Sequence, residues 1–348
     1  MKRFLLLLCL CTVVIFSSCE PKKTTEKESI VFWYGKKQTF GALGHPQKQI
    51  NILGRIYNSE EKSTAFYSLN GGPLMLLTLG SDLHRLANRG DFNVELYRDT
   101  LQLKNRIVVY HYKEGIAVDS ASTEITFHKD RTWPLPYSIS WKSTDTLTKA
   151  VQVVDGLWQF DEDGLSNDTI YYDRVVCFGD STWTDYEVRT TVTFHDFTPP
   201  RRGAPVYNVS HAAIATRWPG HDADSLQPNR KWHPLGATAE FRLTKDLDSC
   251  RWRIFDGEGF YVEAPIKDYR NIALERPYHM LHQVLSLDSL RTKYAVKLWE
   301  ANSQEPDTFD LVAIKPIEHH FKGSACLLAH NTSVTFGDVT VTPVTNKK

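Results

Sequence analysis

The sequence predicts an all-β chain built from two successive sandwiches, on three observations. Beyond the N-terminal segment, apolar and polar residues alternate with period two in run after run, and no window sustains the helical period. Turn-forming Gly, Pro, Asn and Asp separate those runs at short intervals. Aromatic residues are plentiful, with nine Trp and fifteen Tyr. That composition suits pleated, half-buried strands and sugar contact alike.

The N-terminal segment stands apart. Lys2 and Arg3 precede an apolar run from Phe4 to Phe16, shorter than the ~20 residues that cross a bilayer. Ser17-Ser18-Cys19 follows, and the whole resembles a bacterial lipoprotein signal, in which the cysteine is lipidated and becomes the mature N-terminus. An ordinary secretory signal that happens to contain a cysteine is the alternative. Residues 1–19 are therefore expected to be a signal peptide with lipobox Cys19. Residues 20–29 are charged, lack apolar side chains and form an expected flexible tether. The implied location is the bacterial cell envelope, lipid-anchored, at the outer membrane.

Formal charge balances at zero, with 41 basic and 41 acidic residues. No basic excess favours nucleic acid, and none is expected as a partner. Beyond the signal, Cys177, Cys250 and Cys326 remain, an odd number without CxxC spacing. A disulfide framework and a cysteine zinc site are disfavoured, and each cysteine reads as a small core residue.

Residues 30–130 carry the first set of strands. "INILGRIY", "TAFYSLNGGPLMLLTLG", "FNVELYRD", "NRIVVYHYK" and "EITFHK" are β-rich, and Asn70-Gly71-Gly72 is a hairpin signal. Their number and spacing fit an Ig-like sandwich without the Cys–Trp–Cys pattern of antibody domains. "DRTWPLPYSISW" reads as the connection, since its two prolines cannot continue a central strand.

Residues 131–348 form the second block. "TDYEVRTTVTF" alternates cleanly, and "HAAIATRW", "ATAEFRL", "RWRIFD", "YHMLHQVLSL", "KYAVKLWEA", "SACLLAH" and "SVTFGDVTVTP" continue the series. About ten strands point to one large jelly-roll sandwich. "GDSTWTDYEVRTTVTF", "KLWEA" and "SVTFGDVTVTP" are similar to concanavalin A-like, laminin-G-like jelly rolls. The W-x-D-Y-E-V opening and F-G-D-V-x-V closing strand also resemble the domain of 3-keto-glycoside hydrolases. The resemblance covers most of the mature chain and implies a fold rather than an activity, because that superfamily hosts lectins, hydrolases, lyases and spacers.

Strand parity supplies the candidate site. In "ATAEFRL", Thr238, Glu240 and Arg242 share one face; in "RWRIF", Arg251, Arg253 and Phe255 do. In "HAAIATRW", strict alternation puts Arg217 with Ala213 and Ala215, and Trp218 opposite. Arg217, Glu240, Arg242 and one or both of Arg251 and Arg253 are then expected on one sheet face. Trp218, His221, Trp232 and His233 would stand at its rim. Such a face suits a glycan, with Trp stacking on a ring and Arg and Glu bonding to hydroxyls or a uronate. The competing reading is a solvated face of cross-strand Glu–Arg pairs.

Other constellations are thinner. The E-x-D-x-E strand pattern of retaining glycosidases on this fold is absent. His221, Asp222, Asp224 and His233 match no zinc spacing. Structural calcium accords better with the resemblance, with Asp155 and Asp338 as candidate ligands. Tyr278, His279, His282 and His330 offer a His–Tyr pair for elimination, or simply core and edge histidines. Arg85, Arg89 and Asp91 read as a loop held by an Arg–Asp pair.

The expected function is glycan binding by a lipid-anchored envelope protein through Arg217, Trp218, His221, Trp232, Glu240 and Arg242. The first alternative is a glycan-cleaving hydrolase or polysaccharide lyase in the same groove, with Glu240 or His221 as acid/base and Arg217 neutralising substrate charge. The second is a structural or partner-binding subunit.

Overall fold

The computed structural model describes residues 29–82, 84–199, 209–231 and 235–345. The signal, Cys19, the tether up to Glu28, Trp232 and His233 therefore lie outside the described residues. The described chain is nearly all β, in two sandwiches.

The first sandwich sets a three-stranded sheet (Ile30–Phe32, Gln49–Ile56, Asp91–Tyr97) against a five-stranded one (Lys37–Phe40, Ser63–Leu69, Met75–Leu77, Lys104–Lys113, Ile116–Phe127). Alternation decides what is buried. Ile107 and Val109 point inward and meet Ile52, Phe92 and Val94 from the facing sheet. Asn70 and Gly71 both adopt positive φ, 53° and 74°, in the turn between Ser63–Leu69 and Met75–Leu77.

The second sandwich has a seven-stranded sheet in the spatial order Gln152–Asp155, Arg174–Phe178, Ser324–His330, His211–Trp218, Ala237–Arg242, Arg251–Phe255, Tyr261–Glu263. Nine strands form the facing sheet, centred on Tyr186–Phe197 and Pro277–Ser286. The apolar core between them includes Ile214, Phe241, Trp252, Ile254 and Leu327 from the first and Val188, Val192, Met280 and Val296 from the second. More strands are present than the sequence suggested, because several, such as Trp158–Phe160, Leu165–Asn167 and Tyr261–Glu263, are three residues long. Period-two alternation cannot declare itself over so few residues. The proline-rich connection also contributes a strand, Tyr137–Ile139, which pairs with Val339–Pro343. Cys177, Cys250 and Cys326 are buried free thiols.

The two sandwiches meet through polar side chains. Arg85, in the loop after Met75–Leu77, is the centre of the junction. Its Nε donates to Asp155 Oδ1 at 2.6 Å, and its Nη1 donates to Glu95 Oε1 at 2.6 Å and to the Asn229 carbonyl. Its Nη2 donates to the Val154 carbonyl at 3.2 Å. The Arg–Asp pair expected inside this loop is thus an Arg–Asp pair between sandwiches, while Asp91 pairs with Arg55. Asp82 shapes the loop by accepting the N–H groups of His84, Arg85 and Leu86.

Candidate functional site

The seven-stranded sheet has a second face, turned away from the sandwich core. Three cross-strand rows run over it. Cys177, Cys326, Ala215, Thr238, Phe255 and Tyr261 make the first; Val175, Leu328, Ala213, Glu240, Arg253 and Glu263 make the second. The third is His330, His211, Arg242 and Arg251. Small and apolar residues fill the first two rows on one side and pack with Val154, Trp218 and Leu235. Toward Arg253 and His330 the face becomes polar and opens.

That opening is a cleft of 650 Å³, within the ~300–1,000 Å³ typical of small-ligand sites. Its sheet floor presents Thr238, Glu240, Arg253, Phe255, Leu328, His211 and His330. Tyr172 and Asp173 come from the chain entering Arg174–Phe178, and His221, Arg230 and Lys231 from the loop after His211–Trp218. His84 and Arg85 reach in from the first sandwich, so the cleft needs both halves of the chain.

Three electrostatic features define it. Burial pushes the Glu240 carboxyl up, against the opposing pull of Arg253, Arg242 and His330. Its nearest basic neighbours are Arg242 Nε at 3.6 Å and His211 Nε2 at 3.9 Å, contacts too long to be hydrogen bonds. Second, His211 and His330 stack with ring centroids 4.6 Å apart and planes 5° from parallel. Burial, then His330, hold His211 well below the usual histidine range, so it is neutral. His330 Nδ1 donates to Asp173 Oδ1 at 2.7 Å, which fixes the ring and leaves Nε2 without a hydrogen-bond partner among the described residues. Third, Asp155 shares Arg85 with Glu95. One guanidinium serves two buried carboxylates, and burial pushes Asp155 up to about 7.

The expected site residues separate in the structure. Glu240 and His221 line the cleft. Arg242 is on the expected face, but it is buried and bonded to Glu263 at 2.8 Å. Arg217 and Trp218 exchange sides relative to expectation. A β-bulge between Thr216 and Trp218 gives Arg217 a φ of 52° and shifts the register by one residue. Trp218 consequently joins Ala213 and Ala215, fully buried with its ring edge-on to His221. It has no exposed ring for stacking. Arg217 turns inward and donates to the Thr184 carbonyl, Thr292, Asp185 and Ser286. It cannot neutralise a substrate in the cleft.

The loop holding Asp222 and Asp224 is docked rather than overhanging. Asn229 donates twice to Glu95 of the first sandwich, and Asp224 accepts the backbone N–H groups of Arg230 and Lys231. Both calcium candidates have protein partners. Asp155 Oδ1 accepts from Arg85 and Asn93, while its Oδ2 has no hydrogen-bond partner among the described residues, and Asp338, which is exposed, accepts the Trp141 N–H. No cluster of three or more His, Cys, Asp or Glu gathers at either position or elsewhere among the described residues. Of the other histidines, His282 is buried in the core, bonded to the Ile214 carbonyl and pushed down to about 4 by burial. Its neighbour Tyr278 accepts the Ala273 N–H, while His279 packs on Trp299. Only His330 of that group reaches the cleft.

Sequence reasoning missed His84, Tyr172, Asp173 and His211. His211 is the first residue of its strand and alternates in phase with Ala213. The others sit in turns, where no periodicity marks them.

No protein-family profile matches the chain, and no curated protein matches it either. Among solved structures, the Ca2+-bound exoplasmic/lumenal domain of VIP36 is similar over 61% of this chain and 91% of its own, with 8% identity and a TM-score of 0.36. The Ca2+/Man-bound form of that domain has a TM-score of 0.37 at 8% identity, over the same shares of the two chains. A protein of unknown function with a galectin-like fold from Bacillus subtilis matches over 60% of this chain and 94% of its own, at 12% identity and a TM-score of 0.34. Likeness at this level carries no conclusion about what the chain does.

Proposed function

We propose that the chain binds a carbohydrate in the cleft between the outer face of the seven-stranded sheet and the Arg85 loop. The observation that carries this is the composition of one wall. Phe255 lines the cleft beside Arg253, Glu240 and Thr238, and Tyr261, opposite it in register on the neighbouring edge strand, is 64% exposed. Aromatic faces stack on sugar rings, and the neighbouring polar groups bond to hydroxyls. The N-terminal resemblance extends the proposal to a protein lipid-anchored at Cys19 in a bacterial envelope. In the same reading the first sandwich is Ig-like and the second concanavalin A-like. A glycan array with the mature chain, followed by calorimetry, tests the binding. Phe255→Ala and Tyr261→Ala are each expected to weaken it about tenfold, equivalent to ~1.4 kcal/mol. Unchanged affinity in both variants would rule out this wall.

One observation favours a second reading, that the bound glycan is cleaved. Asp173 orients His330 with Nε2 unpartnered, which is the arrangement of a general base, and Glu240 has the raised carboxyl of a general acid. Product analysis on glycans that bind, with Glu240→Gln and His330→Ala beside wild type, separates the readings. Products that disappear in both variants establish cleavage. Intact ligand after long incubation with wild type establishes binding alone.

A further inference from the structure

We infer that the cleft is built for an acidic sugar, whose anionic group is held by Arg253. This deepens the carbohydrate reading and rests on it.

Arg253 occupies an unusual position among the cations of the molecule. Two glutamates face it directly across its strand neighbours, Glu240 on one side and Glu263 on the other. It forms an ion pair with neither. Arg242 takes Glu263 at 2.8 Å and also draws Glu240 to 3.6 Å. Arg253 is left half-buried on the cleft wall, and its Nε has no hydrogen-bond partner among the described residues. The guanidinium lies over Phe255 at 4.5 Å and is 5.5 Å from the Tyr261 ring centre. The two rings hold the planar fork in place without consuming its hydrogen-bonding edge.

The surrounding cations are accounted for differently. Arg85 is spent on Asp155 and Glu95, Arg230 faces Asp82 at 3.4 Å, and Lys231 faces Asp222 at 3.0 Å. Arg253 is thus the cleft cation that makes no ion pair with a described residue. Its fork geometry matches a carboxylate or a sulfate, and the exposed Tyr261 ring, in register with Phe255, offers a sugar ring a surface next to that group. A uronate and a sulfated sugar share this chemistry.

The test is an array containing uronate, sulfated and neutral glycans, followed by calorimetry on the hits. Binding is expected to be confined to acidic glycans. Methyl-esterifying a uronate hit, or desulfating a sulfated one, identifies which anion is read and is expected to abolish most of the affinity. Arg253→Met is expected to weaken the acidic hit by about 10- to 100-fold, the range for a charge-assisted hydrogen bond, with Arg253→Lys recovering part of it. Thermal unfolding is expected to be nearly unchanged in both variants, because no described ion pair is lost. Neutral glycans binding as well as acidic ones would overturn the inference while leaving the carbohydrate reading intact. Equal losses for acidic and neutral ligands in Arg253→Met would do the same. Absence of any glycan binding would remove the carbohydrate reading and this inference together.

Discussion

The two faces of the seven-stranded sheet are made by alternate residues of the same strands, yet they do different work. The inner face, with Ile214, Phe241, Trp252 and Leu327, is shut against the nine-stranded sheet. The outer face, with His211, Glu240, Arg253 and His330, is closed only in part, by a loop of the first sandwich. Arg217 and Arg253 show the contrast within one residue type. Arg217 is fully buried, with side-chain donors placed on several partners, among them Asp185 at 2.8 Å. Arg253 keeps its charge on the cleft wall with no carboxylate of its own. The lesson is that an arginine on a β-strand is structural or functional according to whether the fold has already supplied its partners.

The largest effects are expected where partners are already supplied. Arg217→Ala leaves Asp185 and several buried acceptors unmatched and is expected to cost about 3–5 kcal/mol of stability. Chemical denaturation measures this, and a loss below ~1 kcal/mol would show that the inner face does not depend on it. Arg85→Ala strands both Asp155 and Glu95 and is expected to cost a similar ~3–5 kcal/mol. Unlike Arg217→Ala it should also weaken ligand binding, because Arg85 holds the first sandwich over the cleft. Equal binding by both variants at temperatures where each is folded would break that distinction.

A pH effect of intermediate size follows from Asp155. Its ordinary value of 3.8 rises to about 7 in the folded chain. Between those values the folded state retains a proton that the unfolded state has released, so the contribution to stability is full at low pH and is lost as pH rises through about 7. Glu240, shifted in the same direction, adds to the trend. Thermal unfolding across this range is expected to show a declining contribution that Asp155→Asn flattens. An identical pH profile in that variant would assign the trend to other groups.

The smallest stability effect is expected at Glu240. Replacing it by Gln removes a carboxylate that burial disfavours, so stability is expected to change by less than ~1 kcal/mol, with the balance moving toward the variant as pH rises. An acidic ligand is expected to bind Glu240→Gln at least as tightly as wild type, since a like charge is gone. Weaker binding of that ligand, measured by calorimetry, would make Glu240 an acceptor for sugar hydroxyls instead.

Much of this organisation was legible in the sequence. Alternation in "ATAEFRL" and "RWRIF" divided core residues from outer-face residues, because both strands run without interruption. It failed at Arg217, where one extra residue reverses the faces. The only local signals are two glycines beside the bulge. A Cβ on Gly236 would lie 2.7 Å from Arg217 Cβ, and one on Gly323 would lie 2.4 Å from the Arg217 carbonyl carbon. These glycines immediately precede the neighbouring strands Ala237–Arg242 and Ser324–His330, so their bearing on Arg217 emerges only once the strands are paired. The cleft itself was legible in half. Its sheet floor follows from parity, whereas His84, Arg85, Tyr172 and Asp173 arrive on loops from distant parts of the chain. No periodic pattern records such a meeting.

The most direct test of the outer face as the ligand face is a crystal structure of the chain with an acidic glycan identified on the array. The sugar ring is expected against Phe255 and Tyr261, its anionic group on Arg253, and Glu240 and His330 within reach of its hydroxyls. A ligand seated instead on the opposite sheet, for example among Arg189, His279 and Trp299, would contradict the account.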